Sequence, residues 1–243
     1  MSPSGPNFNS IRDILKNSPP NRLKSSVLKH SAVLILLLNH SDSYSLVLTQ
    51  RTRKMKHHSG EISFPGGRYD PTTDENMIST ALRECEEEIG INRDEVEILG
   101  QLDDVPTMTG YIITPVIGKI DNGHPKFSRS EVEVEQIFTI PITFFLDPKN
   151  YREQTMRVEG KKFPIFMFDY YYESKLNTIW GATAHILVDY VKKIHQYNPS
   201  TLPYTRYSME EIEEIVQARK MKSFSKRRKK YAENILKGKE SDK

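Results

Sequence analysis

The stretch Ala81-Leu82-Arg83-Glu84-Cys85-Glu86-Glu87-Glu88-Ile89-Gly90-Ile91 decides how this chain is read. Its apolar residues recur at helical spacing, and Gly90 stands where a helix stops. Four glutamates crowd the last turns. A helix C-terminus carries partial negative charge and favours cations, so carboxylates are misplaced there. Like charges three or four residues apart also cost about 0.2–0.5 kcal/mol per pair on an exposed helix. Either the charges are solvated, or something positive belongs among them.

At about 100° per residue, with Glu84 at zero, Glu87 and Glu88 lie near −60° and +40°. Ile78, Ala81, Leu82, Cys85 and Ile89 form an apolar stripe between about 60° and 160°. Three carboxylates therefore share one arc at the edge of a buried face. Oxygen-only anionic sites suit hard divalent cations, Mg²⁺ or Mn²⁺. Arg83, four residues before Glu87, is placed to orient it. Cys85 faces the core and is expected to be inert.

The helix is expected over residues 75–89, with Asp74 as its N-cap. Before it, "SFPGGRYDPTTD" (63–74) reads as loop. Gly66 and Gly67 form a tight turn there, and consecutive glycines permit positive φ and close approach of backbone N–H groups to anionic oxygens. A phosphate-binding loop beside a metal-binding helix describes a site for a phosphate–metal complex.

Further out, "AVLILLLNH" (32–40) and "YSLVLTQR" (44–51) read as a strand hairpin across "SDS". Strands are expected near 96–104, 111–120 and 134–140, then a short helix at 141–148. "YREQTMRV" and "KKFPIFMFDYYY" read as a strand pair, and 178–197 as an amphipathic helix with Trp180 and Ile179 in the core. Residues 1–29 read as a leader loosely ordered at its start, with a short helix over "SIRDILKNS"; 30–197 as the main domain; and 198–243 as a helical extension with a basic block from Lys226 to Lys230. That block reads as a solvated tail, against a nuclear address or nucleic-acid contact. The element order indicates an α+β fold or an α/β/α sandwich.

Bulk properties narrow the function classes. The 243 residues carry a formal charge of +3, too small to draw the whole protein to nucleic acid or membrane. No apolar run reaches the roughly 18 residues a membrane span needs. The single cysteine cannot close an intrachain disulfide, which favours a reducing compartment. A soluble intracellular protein of the cytoplasm is expected, with the basic block as the one feature that fits a nucleus. His57 and His58 lack partners at ligand spacing and read as loop histidines.

The acidic helix resembles the box of the Nudix hydrolases, Gly-x5-Glu-x7-Arg-Glu-U-x-Glu-Glu-x-Gly-U, with U apolar. Glu75, Arg83, Glu84, Cys85, Glu87, Glu88, Gly90 and Ile91 fill it in register. Residues 68–82 separate Gly67 from Arg83, two more than the box allows. Upstream, "LTQRTRKMKHHSGEISFPGG" (48–67) resembles the motif that precedes the box in coenzyme A diphosphatases. Leu48, Thr49, Arg51, Gly60, Phe64, Pro65, Gly66 and Gly67 match it. Val47, Thr52 and Lys56 depart from it, and Lys56 keeps the charge of an Arg but loses its bidentate fork. That branch is often peroxisomal, but the chain's last residues, "ESDK", are no peroxisomal address.

The resemblance covers roughly residues 30–195. It implies an α+β, Nudix-type α/β/α sandwich with a mixed β-sheet, and metal-dependent hydrolysis of a nucleoside diphosphate linked to another moiety. For coenzyme A the products are 4′-phosphopantetheine and adenosine 3′,5′-bisphosphate; NADH or ADP-ribose is the alternative substrate, and an idle scaffold used for binding a more distant one. The implied metal ligands are Glu84, Glu87 and Glu88, and Arg83 orients them. The general base is Glu133 or Glu87. Arg51, Lys56, Gly66 and Gly67 are the candidate substrate contacts, the two basic residues for a phosphate.

Overall fold

The run Lys29–Asn39 forms strand β1, and its side chains divide between two cores. Ile35 and Leu37 enter one hydrophobic cluster, while Leu34, Leu36 and Leu38 enter another. A strand buried on both faces reads as an unbroken apolar run, which is why "AVLILLL" shows no alternation. The computed structural model describes residues 5–41, 43–53, 59–121, 123–158, 161–202 and 208–221.

β1 pairs in parallel with β7 (Tyr111–Ile120) from Lys29↔Tyr111 to Leu38↔Ile120. It pairs antiparallel with β2 (Tyr44–Arg51), closing the expected hairpin. Among the described residues these strands belong to an eight-stranded mixed sheet completed by β3 (Ile62–Ser63), β4 (Gly66–Arg68), β5 (Glu97–Gln101), β6 (Val105–Pro106) and β8 (Val134–Pro141). On one face lies helix α2 (Met77–Ile89). On the other lie α1 (Phe8–Asn17), the short α3 (Ile142–Leu146), α4 (Gly181–His195) and a three-stranded sheet of β9 (Tyr151–Val158), β10 (Lys161–Tyr172) and β11 (Lys175–Trp180). The expected α+β class and layered sandwich are observed.

Several expectations need correction. Residues 66–68 are strand, not loop: β4 pairs with β1 through Val33↔Gly66 and Ala32↔Gly67. Helix α2 starts at Met77, because Asn76 caps it by accepting from the N–H groups of Ile78 and Ser79. Residues 178–180 belong to β11, so Ile179 is buried but Trp180 is 48% exposed. Side chains alternate across a strand, and a helical reading places these neighbours wrongly.

The amino-terminal segment is built into the fold. Ile11 and Leu15 of α1 are buried against Leu99 and α4. At the other end, residues 209–221 form a helix, α5, whose Ile212 and Val216 pack on Leu28 and Ile112. The basic block lies outside the described residues. Among the described residues no helix is long and apolar enough to cross a membrane.

Candidate active site

Helix α2 is stopped by Gly90, which takes the left-handed conformation at φ 72°. Two orphan carbonyls near its end are satisfied from outside: Ser128 N–H donates to Ile89 O and Ser130 N–H to Glu88 O, both at 2.9 Å. These bonds hold the segment leading into β8 against the acidic turn, and bring Glu133 to it. Ala81, Cys85 and Ile89 bury the apolar stripe. Glu88, about 40° from Glu84 toward that stripe, is carried under with it and is only 3% exposed.

Glu88 is a buried carboxylate short of partners. Its Oε1 lies 3.6 Å from Arg51 Nη1, and its Oε2 is buried with no hydrogen-bond partner among the described residues. Burial pushes its pKa up to about 8, against the Arg51 charge, with the negative charges of Glu84 and Glu133 adding to the rise and the Gly66 N–H opposing it. Glu84 is also raised by burial; the Arg83 hydrogen bond opposes this, and the charges of Glu87 and Glu133 reinforce it. Burial likewise raises the Cys85 thiol, which is 1% exposed.

Arg83 organises the cluster. Its Nε and Nη2 donate to the two oxygens of Asp74 at 2.7 and 2.9 Å. Its Nη1 reaches Glu84 Oε1 at 2.8 Å and Glu87 Oε2 at 3.1 Å, and Nη2 also meets Arg68 O at 3.2 Å. Asp74, expected as the helix cap, is instead this buried anchor, and its carboxyl is held well below the usual range by the Arg83 hydrogen bond. It also accepts from Thr80 Oγ1 and Asp70 N–H, both at 2.9 Å. The motif's Glu75, one residue on, is exposed. A buried Asp beside a motif Glu carries no mark of its own in the sequence, and the pattern missed it.

The glycines act differently from expectation. Neither Gly66 nor Gly67 has positive φ. Each is required because an extended strand is pressed between neighbours. A Cβ on Gly67 would sit 2.2 Å from the Glu84 carboxyl carbon, and one on Gly66 would sit 2.4 Å from Ala32 O. They let the strand pass against the acidic helix, and the N–H of Gly66 serves Glu88. Arg51 is turned into the cluster as the counter-charge of Glu88. Lys56, His57 and His58 lie outside the described residues.

The donor chemistry fits a hard divalent cation: carboxylates only, one with a buried, unpaired oxygen. Glu84 and Glu88 form the inner pair, while Glu87 is 59% exposed on its pairing with Arg83. Among the described residues no three Asp, Glu, His or Cys side chains converge as ligands as they stand, and Arg83 engages two of the glutamates.

A mixed sheet carrying this glutamate-rich helix defines a hydrolase of the Nudix class. A family model described as "NUDIX domain" matches residues 28–148. A protein named "Uncharacterized Nudix hydrolase NudL" from Photorhabdus laumondii is 36% identical over 169 residues, covering 70% of this chain and 86% of that protein. Its namesake from Yersinia pestis is 35% identical over 163 residues, covering 67% and 78%. Among solved structures, a MutT/nudix family protein from Enterococcus faecalis aligns at 15% identity with a TM-score of 0.43, over 77% of this chain and 71% of that one. The chain belongs to the Nudix hydrolase family, and it is an enzyme of the pyrophosphohydrolase type.

Proposed function

We propose that this protein hydrolyses the diphosphate of coenzyme A or its derivatives, giving 4′-phosphopantetheine and adenosine 3′,5′-bisphosphate, with Mg²⁺ or Mn²⁺. The observation that carries the hydrolytic reading is the buried, unpaired Oε2 of Glu88 beside Glu84. A buried anion without a donor is costly, and a bound cation removes that cost. The substrate choice rests on the 48–67 motif.

Glu84, Glu87 and Glu88 hold the metal ion. When bound, the metal supplies charge neutralisation and Lewis acidity to a diphosphate that the carboxylates alone would repel. Arg83, fixed by Asp74, orients Glu84 and Glu87 and does not touch substrate. Arg51 is released from Glu88 to a substrate phosphate, and Lys56 assists it. Of the two candidates for general base, Glu133 and Glu87, we favour Glu133. It is half-buried and its charge bears on both Glu84 and Glu88, whereas Arg83 occupies an oxygen of Glu87. Gly66 and Gly67 contribute close backbone passage beneath the substrate.

Incubation of the purified protein with Mg²⁺ and a panel of coenzyme A, its thioesters, NADH and ADP-ribose tests this reading. Cleavage of coenzyme A to the two named products is expected. Turnover of NADH with coenzyme A left intact overturns the substrate assignment and keeps the family chemistry.

A further inference from the structure

A hollow of about 320 Å³ opens between the end of the β2–β3 hairpin and strand β11. Its floor holds the buried Ile62 and Asn177, and Arg53 and Lys175 are exposed at its rim. Gln50 and Thr178 add polar lining. Among the described residues no carboxylate lines it, and neither Arg53 nor Lys175 forms an ion pair. This is a cationic recess with polar walls, in which the Thr178 hydroxyl donates to Asp169 Oδ1 and the Ser59 hydroxyl to Arg53 O.

Its placement ties it to the acidic cluster. Arg51 reaches Glu88, and Arg53, two residues on, lines the hollow. The loop between β2 and β3 is pinned at its base by Arg51 N–H to Glu61 O at 3.0 Å, Gly60 N–H to Arg51 O at 3.1 Å and Gln50 Nε2 to Gly60 O at 3.1 Å. One hairpin therefore serves both places. Lys175 arrives by a strained route. It follows a two-residue turn closed by Tyr172↔Lys175, in which Glu173 and Ser174 take φ of 48° and 63°. Such turns favour Asn-Gly, because most side chains resist the left-handed region. Strain of this kind persists where surrounding structure imposes it, commonly at ligand sites.

We propose that this hollow is the subsite for a phosphate monoester on the non-reacting end of the substrate, gripped by Arg53 and Lys175. The assignment rests on the reading of the chain as a hydrolase of a phosphorylated nucleotide diphosphate. A monoester carries nearly two negative charges at neutral pH and several strong acceptor oxygens. It matches two cations with no carboxylate partner among the described residues, beside amide groups of Gln50 and Asn177 that each keep a second N–H after serving a backbone carbonyl, and the anionic helix is the wrong place for it.

Calorimetric titration in chelator, with adenosine 3′,5′-bisphosphate and with adenosine 5′-monophosphate, reads the extra phosphate directly. The wild type is expected to bind the bisphosphate at least about tenfold more tightly, and the Arg53→Ala/Lys175→Ala double variant to lose that preference. With coenzyme A and its 3′-dephospho form as substrates, the variant's kcat/KM ratio falls by a similar factor, through KM and not kcat. A wild type without the preference, or a double variant that keeps it, overturns the subsite whatever the chain hydrolyses. A preference lost in the variant, with neither coenzyme A form cleaved, supports the subsite and removes the coenzyme A reading instead.

Discussion

The central sheet buries polar groups on both faces, and they are treated in opposite ways. On the α4 side, Tyr190 donates to Tyr44 at 2.8 Å, and the Tyr44 hydroxyl meets His195 Nε2 at 2.5 Å. All three groups have partners. On the α2 side, Glu88 keeps an oxygen that no described group serves. A satisfied buried network specifies packing; an unsatisfied one carries a cost that nothing in the fold recovers. The contrast assigns the first face to architecture and the second to chemistry. Glu88→Gln breaks the comparison hardest. It keeps the shape and removes the charge, so turnover is expected to fall about a thousandfold or more, with the circular dichroism spectrum unchanged. Turnover within a few fold of wild type would remove Glu88 from the site.

The second test sharpens where the chemical face ends. Asp74 is buried behind Arg83 and binds its Nε and Nη2, which leaves Nη1 to hold Glu84 and Glu87. Asp74→Asn retains one acceptor and loses the charge-assisted fork. A fall of about 10–100-fold in kcat is expected, the usual scale for partners that orient ligands. The apparent Mg²⁺ requirement should rise with it, a change that simple destabilisation does not produce. Glu75→Gln, on an exposed residue, should cost far less. A larger loss for Glu75 than for Asp74 would return the anchoring role to the motif residue.

The two faces also predict opposite responses to pH. Burial lowers His195 to about 4, below the ordinary histidine value. The unfolded chain therefore binds more protons, and this contribution is full above about pH 6.5 and lost as the pH falls through 4. Glu88 is raised to about 8, so its contribution is full below the ordinary carboxylate range and lost as the pH rises through 8. In chelator, melting temperature is expected to decline on both limbs. Glu88→Gln should flatten the alkaline limb and His195→Phe the acid one. Mg²⁺ should flatten the alkaline limb in the wild type, since it binds only the folded, ionised site. An alkaline limb indifferent to both Mg²⁺ and Glu88→Gln separates the buried oxygen from metal binding.

Much of this was legible beforehand, for identifiable reasons. The stripe of Ala81, Cys85 and Ile89 is periodic, so the wheel placed Glu84 and Glu88 at its edge before any contact was known. Strands Tyr44–Arg51 and Tyr151–Val158 carried clear boundaries. What failed were features set by tertiary contact. Gly66 and Gly67 look like a turn in isolation, and only the nearness of Glu84 and Ala32 shows why side chains are barred from an extended strand. Asp74 looks like a cap, but Asn76 wins that place through reciprocal bonds with Ser79 and frees Asp74 for Arg83. Lys175 carries no motif, because β11 reaches the β2–β3 hairpin through packing that local pattern does not encode.

The smallest expected effect tests the quiet face. Tyr190→Phe preserves the ring in a fully buried site and deletes one donor to Tyr44, whose hydroxyl still has His195. The loss should be about 1 kcal/mol of stability, the net value of one neutral hydrogen bond. For a chain of this size that lowers the melting temperature by about 2–4 °C. Turnover should stay within about twofold, because changes on distant, unconnected side chains do not couple. If kcat instead falls tenfold while the melting temperature holds, the tyrosine network transmits to the acidic helix through the sheet. The division of the molecule into an architectural face and a chemical one is then wrong, since a satisfied hydrogen bond would be tuning an unsatisfied carboxylate across the strand that separates them.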